Sequence, residues 1–409
     1  MKSVERHISD CLALVAAPAP VEVDLLRAHG EVLAEAVASP VSLPGFDNSA
    51  MDGYAVYAAD VAEAAEDAPV VLPVVADLAA GAGAGTKVVR GSCARIMTGA
   101  PMPEGPDAVV PVEWTDGGTE NVRVRRPARV GDAVRPAGGD VLEGAEVLSP
   151  GSRIGAGEMG VLAAVGRRSV PVFPRPRVVV LATGEELVEP GRPLGPGQIW
   201  ESNSHMLAAA ALDAGCEVHR HGFVGDAPDT VLGALEGLLA GADVLVTSGG
   251  VSMGAYDVVK EVLARQGTVE FTQVAMQPGK PQGFGTLGPD RTPILTLPGN
   301  PVSAFVSFQV FVRPVLRKLR GLDPGPLPTV RAVLSSAVTS PSERRSFLRG
   351  VLRGPEPGSD LPTVVPASRQ GSHQLSALAD ANAFVVVPED VTALPAGAVV
   401  DAMRLPEMC

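Results

Sequence analysis

The chain has no apolar run approaching the roughly 20 residues that cross a bilayer, so no membrane contact is expected. The stretch "CLALVAAPAP" near its start is apolar but short. Glu5 and Asp10 precede it and are wrong for a signal peptide, so a cytoplasmic location is expected. Cysteine is sparse, and Cys11, Cys93, Cys216 and Cys409 are scattered with no pair at metal-ligand spacing. At 409 residues the chain can bury large cores, which excludes a small disulfide framework. The six histidines form no HExxH pattern. His219 and His221 would share a strand face, read as an exposed strand rather than a metal site. Lysine is scarce for a charged residue: Lys2, Lys87, Lys260, Lys280 and Lys318 are the five present. With a net charge of −13, this argues against nucleic-acid binding. An anionic substrate would then need local arginines, backbone N–H groups or a divalent metal to hold it. There is no internal repeat and no low-complexity tract.

What is present is a well-populated hydrophobic fraction, 46%, and a length that suggests two to four domains at about 150 residues each. The first forty residues read as helix, with "VEVDLLRAHGEVLAEAVASP" as a second helical element broken at Pro40, Pro44 and Gly45. From 45 to 137, short β-rich runs such as "PVVLPVV", "DAVVPVEW" and "NVRVRR" alternate with Gly and Pro turns, which predicts an inserted β domain. "GSRIGAGEMGVLAAVG" returns to helix, so 1–44 and 138–173 are expected to form an elongated, partly helical N-terminal domain. From 174 to 321 strands and helices alternate, predicting a doubly wound α/β domain. The β-rich tail, 322–409, predicts a C-terminal barrel or sandwich.

In a doubly wound domain, ligands bind outside the carboxyl ends of the strands. Three predicted strands end there in distinctive loops: "ATGEEL", "TSGGVSMGAYD" and "LPGNP". In the last, after Pro298, Gly299 gives the turn, Asn300 can cap a helix, and Pro301 suits its first position. Such a start offers N–H groups to an anion; taken alone it serves equally as a neat helix start. Ser248, Gly249, Gly250 and Ser252 let backbone approach a ligand closely, although the loop lacks the GK[ST] of a P-loop. Yet Asp257 brings a carboxylate to this loop, and Glu185, Glu186 and Asp226 fall at neighbouring strand ends. Each acid alone reads as a helix cap or solvated loop. Together, beside a phosphate-binding loop, they make sense if Mg²⁺ bridges acid and anion. Lys280 in "QPGKPQGFG" would be the one lysine at this face, or simply part of a surface turn. "FDNSAMDGYAV" and "RIMTGAPMPEGPDAVV" in the β domain, with Asp52 and Thr98, are candidate loops facing a partner or substrate.

These motifs, in this order and over nearly the whole chain, resemble the molybdopterin molybdenumtransferase family (MoeA), related to the E domain of gephyrin. The resemblance implies a four-domain, elongated homodimer that inserts molybdate into adenylylated molybdopterin with Mg²⁺, releasing AMP. It implies a cleft between the α/β domain of one subunit and the "DNSAMDGYA" domain of the other. Matching positions suggest Asp52, Thr98, Glu186, Asp226 and Asp257 as functional residues, with Glu186 and Asp257 holding the metal. "SGG" and "PGNP" would hold the pterin phosphate end, and Arg344, Arg345, Arg349 and Ser376 would contact ligand from the tail. The molybdopterin adenylyltransferase and apo-molybdoenzymes are further partners that it admits. The chain departs from the family pattern where Gln277 replaces a common lysine, Ala255 a common acid, and Glu201 an aspartate. A scaffold that binds molybdopterin without turnover is the alternative from a different class. The adenylyltransferase itself is disfavoured by the long chain, and tungstate in place of molybdate stays open.

Overall fold

The computed structural model describes residues 1–81, 85–224, 227–250, 260, 262–263, 268–356 and 360–406. The chain forms two compact units: 24–29 with 35–170, and 1–23 with 30–34 and 171–409.

The first of these carries a five-stranded sheet in the order Ala108–Pro111, Gly53–Val56, Cys93–Ile96, Val70–Leu78, Asn121–Val124. Alternating side chains from both faces fill two small cores, one around Tyr54, Val56 and Val110, the other around Ala55, Ile96 and Val109. The glycine of "DNSAMDGYA" is dictated by this sheet. A Cβ on Gly53 would lie 2.0 Å from the Val110 carbonyl oxygen, so any side chain would force the strands apart. The helix expected after Gly151 forms at Ala156–Ala164.

The larger unit holds a six-stranded sheet ordered Glu217–Val224, Arg177–Thr183, Val244–Ser248, Thr292–Leu297, Pro281–Leu287, Val269–Gln273. The first four strands are parallel, and the last two join antiparallel. The near-continuous apolar runs "RVVVLAT" and "VLVTS" follow from burial on both faces. Val178, Val180, Val244 and Val246 face one core, while Val179, Leu181 and Leu245 face the other. The helix Asn203–Asp213 and the long helical segment from Pro301 to Leu319 cover the first face; Pro228–Leu239 covers the second. The chain leaves the 177–183 strand to one side, forms 217–224, and returns to place 244–248 on the other side. The order therefore reverses between 177–183 and 244–248.

The C-terminal barrel is closed. Arg345–Pro355 pairs with both Pro362–Pro366 and Ala383–Val387, and the ring is completed through Thr329–Leu334 and Val399–Arg404. Closure leaves this ring without free edges.

The second helical element expected at 21–40 does not form. Val21–Asp24, Val32–Leu33 and Val37–Ala38 are short strands, and Leu25–Ala28 is a single 3-10 turn. Gly30, at φ +80°, breaks any helical path, and the β-branched valines prefer the strand pairing of Val32–Leu33 with Val172–Phe173. The helix at Val4–Leu12 does form, with Ser3 Oγ accepting from the Arg6 N–H. It packs on the α/β core through Val4, His7 and Cys11, and His7 stands edge-on to Phe284 and Phe311.

Candidate active site

The reversal of strand order predicts a crevice at the carboxyl ends of 177–183 and 244–248. A cavity of about 620 Å³ opens there, within the range of small-molecule sites. Its floor is backbone. Gly249 sits at φ +98°, and a Cβ on it would lie 2.6 Å from the Thr183 carbonyl oxygen and 2.9 Å from Thr183 Oγ1. Gly299 reaches across from the next loop, its own Cβ position 3.5 Å from the Gly249 Cα. Two glycine loops thus touch, and a ligand can approach main chain rather than side chains.

Asn203 ties these loops together. Its Nδ2 donates to Ser248 Oγ at 2.9 Å and to the Gly299 carbonyl at 2.6 Å, and Ser248 Oγ donates to the Pro298 carbonyl at 3.2 Å. Two polar atoms of this wall are buried without a partner among the described residues: Thr183 Oγ1 and Asn203 Oδ1. An unpaired buried polar atom costs about 1–3 kcal/mol. Such atoms are tolerated where a ligand completes them.

Glu201 is 1% exposed and caps the helix Asn203–Asp213 by accepting from the Ser204 N–H at 2.7 Å; the Ser202 side chain makes no cap bond. Arg220 donates to Ser204 Oγ and Glu189 behind it, so Glu201 is spent on structure. Hydrogen bonding from Arg220 is the first cause holding the Glu189 carboxyl below its ordinary range. Glu186 is different, since it lines the cavity as an exposed residue with its carboxylate over Gly184. Ile199 and Trp200 form an exposed apolar lip, with the indole N–H on the Arg192 carbonyl at 2.8 Å and a face free to stack on a planar heterocycle.

The helix after "LPGN" begins with Pro301 in its first turn. Asn300 does not cap it with its side chain. Nδ2 donates instead to Ser372 Oγ at 3.2 Å, and the Val302 N–H reaches the Ser372 carbonyl at 3.1 Å. The barrel loop 369–374 is thereby pinned to the cavity, where it delivers His373. Arg349, 1% exposed, holds the same loop from behind, donating to the carbonyls of Arg369, Gly371 and Gln374. Burial lowers its pKa, but a guanidinium stays charged in proteins.

Of the residues singled out in the sequence, Glu186, Ser248, Gly249, Gly250, Pro298, Gly299, Asn300 and Pro301 meet in this cavity. Lys280 precedes the lining residue Pro281, and its carbonyl accepts from the Val274 N–H. Arg344 donates to Gln277 Oε1 at 3.3 Å, and Arg345 pairs with Glu5 and Glu389. Ser376 lines a separate pocket of about 350 Å³ on the barrel. Asp52 and Thr98 lie in the other unit and bond each other, Asp52 Oδ1 accepting from the Thr98 N–H at 2.7 Å and Oγ1 at 2.8 Å. The backbone N–H of Thr98 is the first cause holding the Asp52 carboxyl below its ordinary range. Asp226, Ser252 and Asp257 lie outside the described residues, as does the helix expected at 257–267 apart from three positions. Thr183, Trp200, Asn203 and His373 were missed by the sequence reading. "ATGEE" and "WESN" carried a signal for three of them as polar residues at strand and helix ends; nothing local marks His373.

Among the described residues no three carboxylates, imidazoles or thiols converge as a metal centre, and no lysine or arginine lines the cavity. Glycine N–H groups, hydroxyls and one accessible carboxylate are a donor set for an anionic ligand that brings a hard cation with it. Mg²⁺ is commonly bound by one or two carboxylates plus substrate phosphates, so Glu186 fits such a role.

Comparison with known proteins agrees along the whole chain. Residues 2–166 match the MoeA N-terminal region (domain I and II), 179–318 a probable molybdopterin binding domain, and 331–405 the MoeA C-terminal region (domain IV). Molybdopterin molybdenumtransferase 2 of Mycobacterium tuberculosis is 46% identical over 97% of this chain and 98% of its own length. The Bacillus subtilis molybdopterin molybdenumtransferase is 35% identical over 92% of this chain and 87% of its own. A molybdopterin biosynthesis MoeA protein from Pyrococcus horikosii superposes with a TM-score of 0.85 at 32% identity, covering 99% of both chains.

Proposed function

The chain belongs to the molybdopterin molybdenumtransferase (MoeA) family of molybdenum cofactor biosynthesis, and from that premise we propose that it inserts molybdate into adenylylated molybdopterin, with Mg²⁺, releasing AMP. The observation that carries this reading is the cavity itself: a glycine-floored crevice with a stacking surface, unpaired buried acceptors and an accessible acid, but no basic side chain among its described lining residues. That set suits a planar, phosphate-bearing ligand accompanied by a cation.

In this reading the main chain at Gly249, Gly250 and Gly299 receives phosphate oxygens, and Trp200 stacks on a ring of the ligand. Thr183 Oγ1 and Asn203 Oδ1 gain partners from it. Glu186 holds the metal together with Asp257, and Asp226 completes the acidic group. Mg²⁺ supplies charge neutralisation that weakens a phosphoanhydride and stabilises the departing oxygen. His373 and the loop that Arg349 braces close the wall. Asp52 and Thr98 are assigned to molybdate, and Arg344 and Ser376 to peripheral contacts. A homodimer, the cytoplasm, the four-part division of the chain at 44, 137, 173 and 321, and exchange with the adenylyltransferase and apo-molybdoenzymes belong to the same proposal. No described helix is long and apolar enough to cross a membrane.

The test is AMP release from adenylylated molybdopterin, measured with and without molybdate and Mg²⁺. Release that needs both ions is expected, and Glu186→Gln should raise the Mg²⁺ requirement. Nucleotide binding without release would favour the scaffold reading. Release with tungstate in preference to molybdate would change the named metal and leave the rest.

A further inference from the structure

A second, smaller site lies on the same unit, away from the crevice. The helical segment 301–319 widens into a π-turn at Phe308–Val312 before resuming at Arg313–Leu319. Pro314 accounts for this: it has no N–H for the Val310 carbonyl, and its ring crowds that position. Short π-turns are frequent at functional sites. Here the turn carries Gln309, and Arg313 and Arg317 follow at steps of four along one face. These three side chains and the linker segment 325–328 enclose a cavity of about 100 Å³. That is several times the 10–15 Å³ or so that one water needs.

Three polar atoms around it have no partner among the described residues. Gln309 is 4% exposed with Oε1 lacking a partner among the described residues, and Arg313 Nε and Nη1 are buried and likewise unpaired there. Burial, and next the positive charge of Arg317, disfavour the charged form of Arg313; Asp213 acts in the opposite sense. Asp213 makes no ion pair with Arg313 among the described residues. Arg317 spends its Nε on the Asp323 carbonyl at 2.7 Å, and Asp323 Oδ1 accepts from the Gly325 N–H at 3.0 Å. Two guanidinium groups therefore share a small enclosure in which neither makes an ion pair among the described residues, beside an amide able to present N–H or C=O according to its flip.

We propose that this pocket binds a small tetrahedral oxyanion of the phosphate class, held by Arg313, Arg317 and the Gln309 amide. The anion accepts from the unpaired guanidinium N–H groups, with the geometric match that arginine gives oxyanions. Because the 325–328 segment leads into the barrel strand Thr329–Leu334, the bound anion also fixes the linker between sheet and barrel. The site does not depend on the transferase reading.

Isothermal titration of the full chain with inorganic phosphate, at fixed ionic strength in chloride, tests it. Saturable binding is expected. Arg313→Met, which removes two unpaired donors, should weaken it by about 10- to 100-fold. Gln309→Glu supplies an internal carboxylate to Arg313 and should abolish binding while the protein folds normally. Phosphate bound equally by wild type and both variants, or by none, would overturn the proposal and leave a water-filled pocket.

Discussion

The two ends of the same parallel strands are built on opposite plans. At the amino ends, Arg177 meets Asp243 through Nη2 at 2.8 Å, Nε at 3.2 Å and its own backbone N–H at 2.8 Å. At the carboxyl ends, Thr183 Oγ1 and Asn203 Oδ1 are buried and unpaired among the described residues, and Gly249 holds a left-handed conformation. The amino-end cavity is the larger, about 660 Å³ against 620 Å³. Volume therefore does not select the site; unsatisfied polarity does. Unpaired buried groups occur elsewhere too, as at Thr247 and Thr296 within the sheet, but those at the crevice border a cavity that a ligand can fill.

The sharpest way to break this contrast is Gly249→Ala. The left-handed backbone and the 2.6 Å approach to the Thr183 carbonyl make any Cβ strained, so a loss of about 1–3 kcal/mol is expected in urea unfolding, together with AMP release. Near-normal turnover would show that the glycine floor is not where the ligand sits. Thr183→Val comes next. It deletes an unpaired hydroxyl, so stability should hold or rise while affinity for the nucleotide falls by about tenfold. A variant that unfolds early and binds normally would reverse the argument. Asp243→Ala at the other end should do the opposite, with turnover unchanged. The pair is about half exposed, so its loss should cost only about 0.5–1 kcal/mol.

The smallest effects are in pH. Burial, then the charge of Lys2, push the His7 pKa down to about 4. The unfolded chain takes up a proton near its ordinary value of about 6.5, which the folded chain refuses. Stability should therefore fall as pH drops from about 6.5 towards 4, and His7→Phe should flatten that limb. Burial opposes ionisation of Asp243, but the Arg177 hydrogen bonds prevail and hold its carboxyl below the ordinary range. Its contribution is present above about pH 4 and lost as pH falls through the folded value. Asp243→Asn should remove that second, more acidic step in a thermal-melt series.

Much of this was legible before folding. Buried parallel strands are written as apolar runs, and their loops as glycine and proline, so the α/β unit, the barrel and most of the crevice could be placed. The segment 21–40 misled because charged residues spaced among valines imitate a helical face, while Gly30 and the strand partner at Val172–Phe173 decide otherwise. The family resemblance suggests Arg349 as a ligand contact; its guanidinium here serves three backbone carbonyls. Only the fold brings those carbonyls to it.

The sequence alone determined the family, the layer architecture and the loops that floor the crevice, because local backbone chemistry is written in adjacent residues. The tertiary structure decided which polar groups are satisfied. Thr183, Asn203 and His373 come from distant parts of the chain, and Gln309, Arg313 and Arg317 share their pocket with a linker that follows them. Whether a buried polar group is paired depends on what packs beside it, and packing is settled only when the chain has closed on itself.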